Sequence, residues 1–575
     1  MIELKSCIKT YTTDQDKAIA PEDTVARVRK LLEDYGNDIL AETRRIDTGR
    51  LDIPVFLSIT GPGARKVMPT RKQMGKGASP IQAEASALME LTERFSYFSF
   101  WDDYGDFTTA TWSEALDKWP GKVMDITQII KAAGDDISAA NAVRILDLVQ
   151  WKFTPVTNIS QGREEYIPLD LFKKLNEFNG SSAGNTYEES IAQGAAELIE
   201  RHVCAVTDRT TPEMPTIDLD AVEDPVLARL LACFRDNGLK VWLKDMTLGF
   251  PAPTVAAIAY DPATFPEKSE IVYTAGTASS PAKAAIRALT EVAQLGGDFE
   301  TGANYEASGL PKYLAVEDFK WLTEGPVVPL SSLPTLESDD ILDELMGLTR
   351  GLTAMGYTLY SVATTHPELG IPANYNLVPG FLFRERTERA SLGMFVGRIL
   401  AEDMPVPVAE KSLDILEEIY PDAHFMPFYR AMVALKGGDM PLATELFAMA
   451  EPLQDDSEDK GLAAFYQAFA LTQAGDFETA LPHLDRAISF SDEVKEYFNL
   501  RGVSHFKSGR YETAAKDFKA ALDLDSGSAM DLANLGLCYK FLGQTEEALH
   551  CLANALQLDA DLDFAREHIE ELLGS

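Results

Sequence analysis

Residues 179–203 read NGSSAGNTYEESIAQGAAELIERHV. A small polar loop, Asn179 to Asn185, feeds a helix whose N-terminal end can aim backbone N–H groups at an anion. Glu189, Gln193, Glu197, Glu200 and Arg201 follow. Glu189 and Glu200 are eleven residues apart, about three turns, so they share a face. Gly194, Ala195 and Ala196 keep the helix slender enough for a close neighbour. Two further stretches are built alike. GKGASPIQAEASALMELTERF (75–95) opens with Ser79 as cap and Pro80 at the first helical position, and places Ser86, Glu90 and Glu93 within about 60° of one another. SSPAKAAIRALTEVAQLGG (279–297) places Lys283, Arg287, Glu291 and Gln294 at spacings of four, four and three.

Any one of these helices alone is an ordinary solvated stripe with i,i+4 ion pairs. Three together differ. Each follows a Ser/Gly/Pro loop, each is Ala-rich, and each carries Glu or Gln beside Ser or Arg. Carboxylates gathered from several helices repel unless cations join them. Mg²⁺ takes oxygen ligands and bridges carboxylates to phosphates, and interleaved arginines suit phosphate oxygens. The pattern reads as a Mg²⁺–nucleotide site without a P-loop, since GPGARK at 61–66 departs from the Walker pattern.

The chain around these helices has 575 residues, 46% apolar and 25% charged, enough for two to four folded domains. Its net charge of −38 argues against nucleic-acid binding and against docking on an anionic membrane. No signal peptide or membrane span is legible, and the five Cys are scattered without a CxxC pair. They read as reduced thiols of a cytoplasmic protein, mostly small core residues. The seven dispersed His residues form no local zinc motif.

Residues 1–408 mix β-rich runs (53–60, 253–260, 271–278) with amphipathic helices, an α/β or α+β grammar. Prolines 405, 407 and 421 suggest a linker over 409–425. Beyond it, Gly475, Gly509 and Gly543 recur every 34 residues, as do Ala480, Ala514 and Ala548. This resembles the tetratricopeptide repeat. Residues 426–575 are therefore expected to form an all-α solenoid of three clear repeats and one degenerate unit around Ala443. Gly502 and Ala514 would allow close helix approach, and Phe498 and Phe518 would fill the space between hairpins. Residues 424–575 hold 26 acids against 12 Lys+Arg, a net of −14. A basic peptide or protein suits such a surface, although an acidic solvated face is the plainer alternative.

The motifs of the first region, taken in order, resemble the YcaO family. The matching stretches are KAIAPEDTVARVRKLLEDYG (17–36), the three helices above, and HPELGIPANYNLVPG (366–380). The resemblance spans 17–405 and implies an α+β YcaO-like domain at 1–408 that uses ATP and Mg²⁺. It implies activation of a peptide-backbone amide: a nucleophile adds to the carbonyl carbon, the oxygen takes the γ-phosphoryl group, and phosphate leaves. An azoline or a thioamide results. By the same resemblance Lys17, Thr24 and Arg27 hold nucleotide. Ser86, Ser182, Asn185, Arg201 and Arg287 contact phosphate or ribose, with Gln294 alongside. Glu90, Glu93, Glu189, Glu197, Glu200 and Glu291 ligate or orient Mg²⁺. Of these, Glu197, Glu200, Arg201, Arg287 and Glu291 form the catalytic group.

Azoline-forming members resemble one another in a PxPxP-type C-terminus. This chain ends IEELLGS and carries MPVPV only at 404–408. That departure tilts the expectation towards thioamidation. The alternative is a nucleotide-binding accessory factor for methylthiolation of a ribosomal protein, a scaffold rather than a catalyst. Expected partners are a peptide or protein substrate and a separate sulfide-delivering or methylthiotransferase protein recruited by the repeats. A homodimer is left open; nucleic acid and membrane are not expected.

Overall fold

A computed structural model describes residues 1–36, 38–47, 50–296, 299 and 313–574. Gly297, the end of the third quoted stretch, lies outside them. The chain divides into two compact units. One comprises 1–143 and 150–390, the other 144–149 and 391–575.

The first unit combines three sheets with helices. A three-stranded antiparallel sheet joins Leu40–Arg45, Val55–Thr60 and Lys72–Lys76. A five-stranded sheet runs Val272–Thr277, Thr254–Tyr260, Lys240–Asp245, Thr216–Ile217, Val327–Val328, its last pair parallel. The six-stranded sheet is centred on Trp151–Asn158, Tyr360–Ala363 and Ala373–Leu377. The three β-rich runs of the sequence each become a strand. Thr254–Tyr260 and Val272–Thr277 are buried on both faces, which is why they read as continuous apolar runs rather than alternation.

The three motif helices form as their openings predict. Pro80–Ser99 starts at N-cap Ser79, whose side chain accepts from Gln82 N, and Tyr187–Thr210 starts at N-cap Thr186, which accepts from Glu189 N. The third is Pro281–Gly296. Their small residues set how closely sheets approach. A Cβ on Gly75 would lie 2.0 Å from Ala87 N, and one on Gly276 would lie 2.4 Å from Ala284 O. The strands carrying these glycines therefore lie directly against the Ala faces of helices Pro80–Ser99 and Pro281–Gly296.

The second unit is all helical: Leu392–Asp403, Val406–Ile419, four hairpins, and a final helix Asp563–Gly574. The hairpins pair Met426–Gly437 with Met440–Ala450, Ser457–Gln473 with Phe477–Phe490, Lys495–Lys507 with Tyr511–Leu524, and Ala529–Phe541 with Thr545–Leu558. Gly475, Gly509 and Gly543 have φ of +83°, +74° and +75°, the left-handed conformation that turns one helix into the next. Ala480, Ala514 and Ala548 are fully buried.

Two expectations need correction here. The segment 409–425 is no linker: most of it belongs to helix Val406–Ile419, whose Leu413 and Leu416 are fully buried, and the compact units part at 390/391 rather than at 408. Proline at the first turn opens a helix as readily as it breaks one. Phe518 is buried as expected, but Phe498 is half-exposed and its neighbour Tyr497 fills the interior instead.

Candidate functional site

The three motif helices and the segment 15–24 enclose a cavity of about 270 Å³. Thirteen of the fifteen residues that the resemblance assigns to the site line it: Lys17, Thr24, Ser86, Glu90, Glu93, Asn185, Glu189, Glu197, Glu200, Arg201, Arg287, Glu291 and Gln294. The two others stand behind its wall. Arg27 Nη1 donates to Asn185 O at 3.2 Å, and Ser182 is buried beneath the loop, its Oγ accepting from Asn376 Nδ2 at 2.9 Å. They support the cavity rather than face into it.

Each helix supplies a distinct set. On Pro80–Ser99, Arg94 lies 3.5 Å from Glu93 and 4.0 Å from Glu90. Glu93 also accepts from Ser181 Oγ. Burial beside the like-charged Glu197 and Glu90 raises the Glu93 carboxyl to about 8, with Arg94 opposing, and burial likewise raises Glu90. On Tyr187–Thr210, Glu189 accepts from Ala18 N at 3.0 Å and from Asn185 N at 3.3 Å, with Lys17 at 3.7 Å. Asn185 and Thr24 are hydrogen-bonded to one another. Glu200 accepts from Thr277 N at 2.9 Å, and Glu197 pairs with Arg201 at 3.8 Å. On Pro281–Gly296, Arg287 Nη1 donates to Gln193 Oε1 at 2.9 Å, while Arg287 Nε is buried and has no partner among the described residues.

Two features of the quoted stretches do other work. Lys283 shares a helical stripe with Arg287, yet its ammonium donates to Thr13 O at 3.0 Å and to Thr12 O, pinning the N-terminal segment. The loop 179–185 offers few free amides. Ser181–Ala183 pairs as a strand with Ala373–Leu377, Gly184 N donates to Pro372 O, and Asn185 N is taken by Glu189. A loop that looks like an anion nest in sequence is a strand edge in space.

The cavity also contains residues the motifs did not single out. Lys76 projects from the end of strand Lys72–Lys76 and contacts Glu291. Gln15, Gln82, Arg94 and Thr290 join it. A lysine held between Gly75 and Gly77 was the signal available for Lys76; Gln15 lies in irregular chain and has none.

Six carboxylates thus face five cations: Lys17, Lys76, Arg94, Arg201 and Arg287. Among the described residues no three carboxylates converge to form a ready-made metal cage.

The sequence model of the YcaO cyclodehydratase family, ATP- and Mg²⁺-binding, matches residues 74–382. The chain belongs to the YcaO family. Tetratricopeptide-repeat models match 467–529 and 532–562. An uncharacterized protein in the tfuA 3′ region of Rhizobium leguminosarum bv. trifolii is 25% identical over 420 residues, covering 68% of this chain and 94% of that protein. The ribosomal protein S12 methylthiotransferase accessory factor YcaO of Escherichia coli K12 is 27% identical over 209 residues, 33% of this chain and 35% of that one. A solved heterocyclase in complex with substrate and cofactor shares the fold at a TM-score of 0.53 and 22% identity, over 66% of this chain and 54% of that one.

YcaO proteins bind ATP and Mg²⁺ and modify peptide backbones. The donor set here fits both. An unpaired, buried guanidinium N–H suits a phosphate oxygen. Oxygen-only donors without His or Cys suit Mg²⁺, which commonly takes one or two carboxylates and completes its shell with phosphate and water. A preformed three-carboxylate cage is not required. Among the described residues no helix is long and apolar enough to cross a membrane.

Proposed function

We propose that this chain converts a backbone amide of a peptide or protein into a thioamide, using ATP and Mg²⁺ in the cavity between the three motif helices. Arg287 carries this reading: it lines the cavity, and its Nε is a buried cationic donor without a partner among the described residues. Such a group costs stability unless an anion meets it. Bound ATP with Mg²⁺ supplies the phosphoryl group that turns the amide oxygen into a leaving group, so that sulfide added at the carbonyl carbon yields C=S, ADP and phosphate.

The residues divide this work by charge. Arg287, Arg201 and Lys17 hold phosphate oxygens. Glu200 and Glu291, with Glu90, Glu93, Glu189 and Glu197 around them, hold Mg²⁺ directly or through water. Thr24, Asn185, Ser86 and Gln294 offer neutral hydrogen bonds to the rest of the nucleotide. Phosphoryl transfer needs positioning and charge neutralisation more than a covalent nucleophile. Thioamide is favoured over azoline because the Pro-rich stretch 404–408 is built into the start of helix Val406–Ile419, with Ala409 fully buried, and is not a free strand. The helical repeats recruit the protein substrate or a sulfide-delivering partner.

Similarity to the Escherichia coli accessory factor supports a second reading, a nucleotide-binding scaffold for a separate methylthiotransferase. Mass spectrometry of cellular proteins with and without this chain separates them. Exchange of one backbone oxygen for sulfur supports the proposal. Loss of one water indicates an azoline, and a methylthio mark alone indicates the scaffold.

A further inference from the structure

Lys76 occupies a singular position. It ends strand Lys72–Lys76, where Gly75 lies against Ala83 and Ala87, and its side chain enters the cavity beneath the opening of helix Pro80–Ser99. There it contacts Glu291 of helix Pro281–Gly296, in the cavity that Glu90 of Pro80–Ser99 and Glu200 of Tyr187–Thr210 also line. Each motif helix therefore brings a carboxylate to the cavity that holds this ammonium. Arg287 and Arg201 line the same cavity.

A cation in a cavity lined by carboxylates from three helices occupies space to which a divalent ion would also be drawn. The carboxylates cannot gather unneutralised, and Lys76 is a neutraliser the chain carries itself. Lysine is suited to giving up such a place. Its charge sits on a flexible four-carbon stem and needs no fixed bonding fork, unlike arginine.

We propose that the Lys76 ammonium stands in for Mg²⁺ in the nucleotide-free protein and swings onto the phosphates when Mg²⁺–nucleotide enters. The inference rests on the nucleotide-site reading above and deepens it. Lys76 offsets part of the negative charge of the nucleotide-free cavity, limits capture of free metal, and becomes a phosphate-binding cation in the loaded state. Metal then enters together with nucleotide, because only phosphate gives Lys76 somewhere to go.

The test is Mn²⁺ binding to the full chain without nucleotide, followed by electron paramagnetic resonance, for wild type, Lys76→Met and Lys76→Arg. Met removes the charge and keeps the length of an apolar stem. It should bind Mn²⁺ about tenfold more tightly, one decade in Kd. Mg²⁺–ATP turnover should fall on the order of 10²-fold, as for loss of one transition-state donor. Arg retains the charge and should keep the weak Mn²⁺ binding of wild type. A thermal melt verifies that each variant folds. Unchanged or weaker Mn²⁺ binding in folded Lys76→Met overturns the proposal, as does tight binding in Lys76→Arg. Should wild type take no Mg²⁺–ATP, the nucleotide-site reading falls separately, and the nucleotide-free Mn²⁺ titration still decides whether the ammonium holds the metal position.

Discussion

Replacing Glu200 with Gln removes one negative charge and little else. Glu200 Oε2 accepts from Thr277 N at 2.9 Å, tying helix Tyr187–Thr210 to the end of strand Val272–Thr277. A glutamine carbonyl oxygen accepts the same bond, so the fold should hold to within about 1 kcal/mol, the net worth of one neutral hydrogen bond. The charge itself matters more. Two opposite unit charges 4 Å apart attract by about 4 kcal/mol at an effective dielectric of 20, and a divalent ion feels proportionately more. Neighbouring carboxylates and water compensate part of this, leaving a loss on the order of 10²–10³ in ATP turnover, about 3–4 kcal/mol. The assay is phosphate release by the full chain at several Mg²⁺ concentrations, beside a thermal melt. Higher Mg²⁺ should restore part of the activity. Wild-type turnover in Glu200→Gln at equal Mg²⁺ would refute the assignment of Glu200 to the metal.

Other expectations are independent of that site chemistry. Removing 426–575 leaves every cavity-lining residue in place, since all precede residue 295, and ATP binding by the folded truncation should match the full chain; its loss would show that the repeats complete the site. Gly75→Val drives a side chain into the backbone of Ala83 and Ala87 and should lower stability by at least about 1–3 kcal/mol, read as a fall in Tm, with wild-type stability contradicting the close strand–helix approach. Lys244 is fully buried, donating to Thr216 Oγ1 and Glu324 O, and burial lowers its ammonium to about 8 from 10.5. Between those values the unfolded chain holds a proton that the folded one has released, so stability should rise with pH from about 8 to 10.5, and Lys244→Met should flatten that rise. Association of the isolated acidic repeats with a basic partner should weaken steeply with salt, because the Debye length is only about 8 Å at 0.15 M; salt-independent binding would point to an apolar groove instead.

The fold was legible wherever local chemistry decides structure. Ser79–Pro80 starts a helix in sequence and in space, and the glycines at 34-residue spacing turn the repeat hairpins with positive φ. Spacing alone placed Ser86, Glu90 and Glu93 on one face, and all three line the cavity. What spacing cannot express is which neighbour claims a side chain. Lys283 lies on the same stripe as Arg287, yet backbone carbonyls of Thr12 and Thr13, some 270 residues earlier, bind it first. Ser182 and the strand edge 181–183 are consumed by the strand Ala373–Leu377, a pairing nearly 200 residues long in sequence. Lys76 escaped notice because a strand end carries no helical periodicity. The misplaced linker arose similarly: Pro405 and Pro407 look like breakers until Leu413 and Leu416 behind them are seen to be buried.

Equilibrium binding of ATP to the full chain, with Mg²⁺ and in its absence, tests the central claim most directly when Arg287→Met is measured alongside. Tight, Mg²⁺-dependent binding of one nucleotide per chain is expected, weakened about 10²-fold or more in a folded Arg287→Met protein. Equal binding in EDTA, or wild-type affinity without the Arg287 guanidinium, would contradict a Mg²⁺–nucleotide site between the three helices.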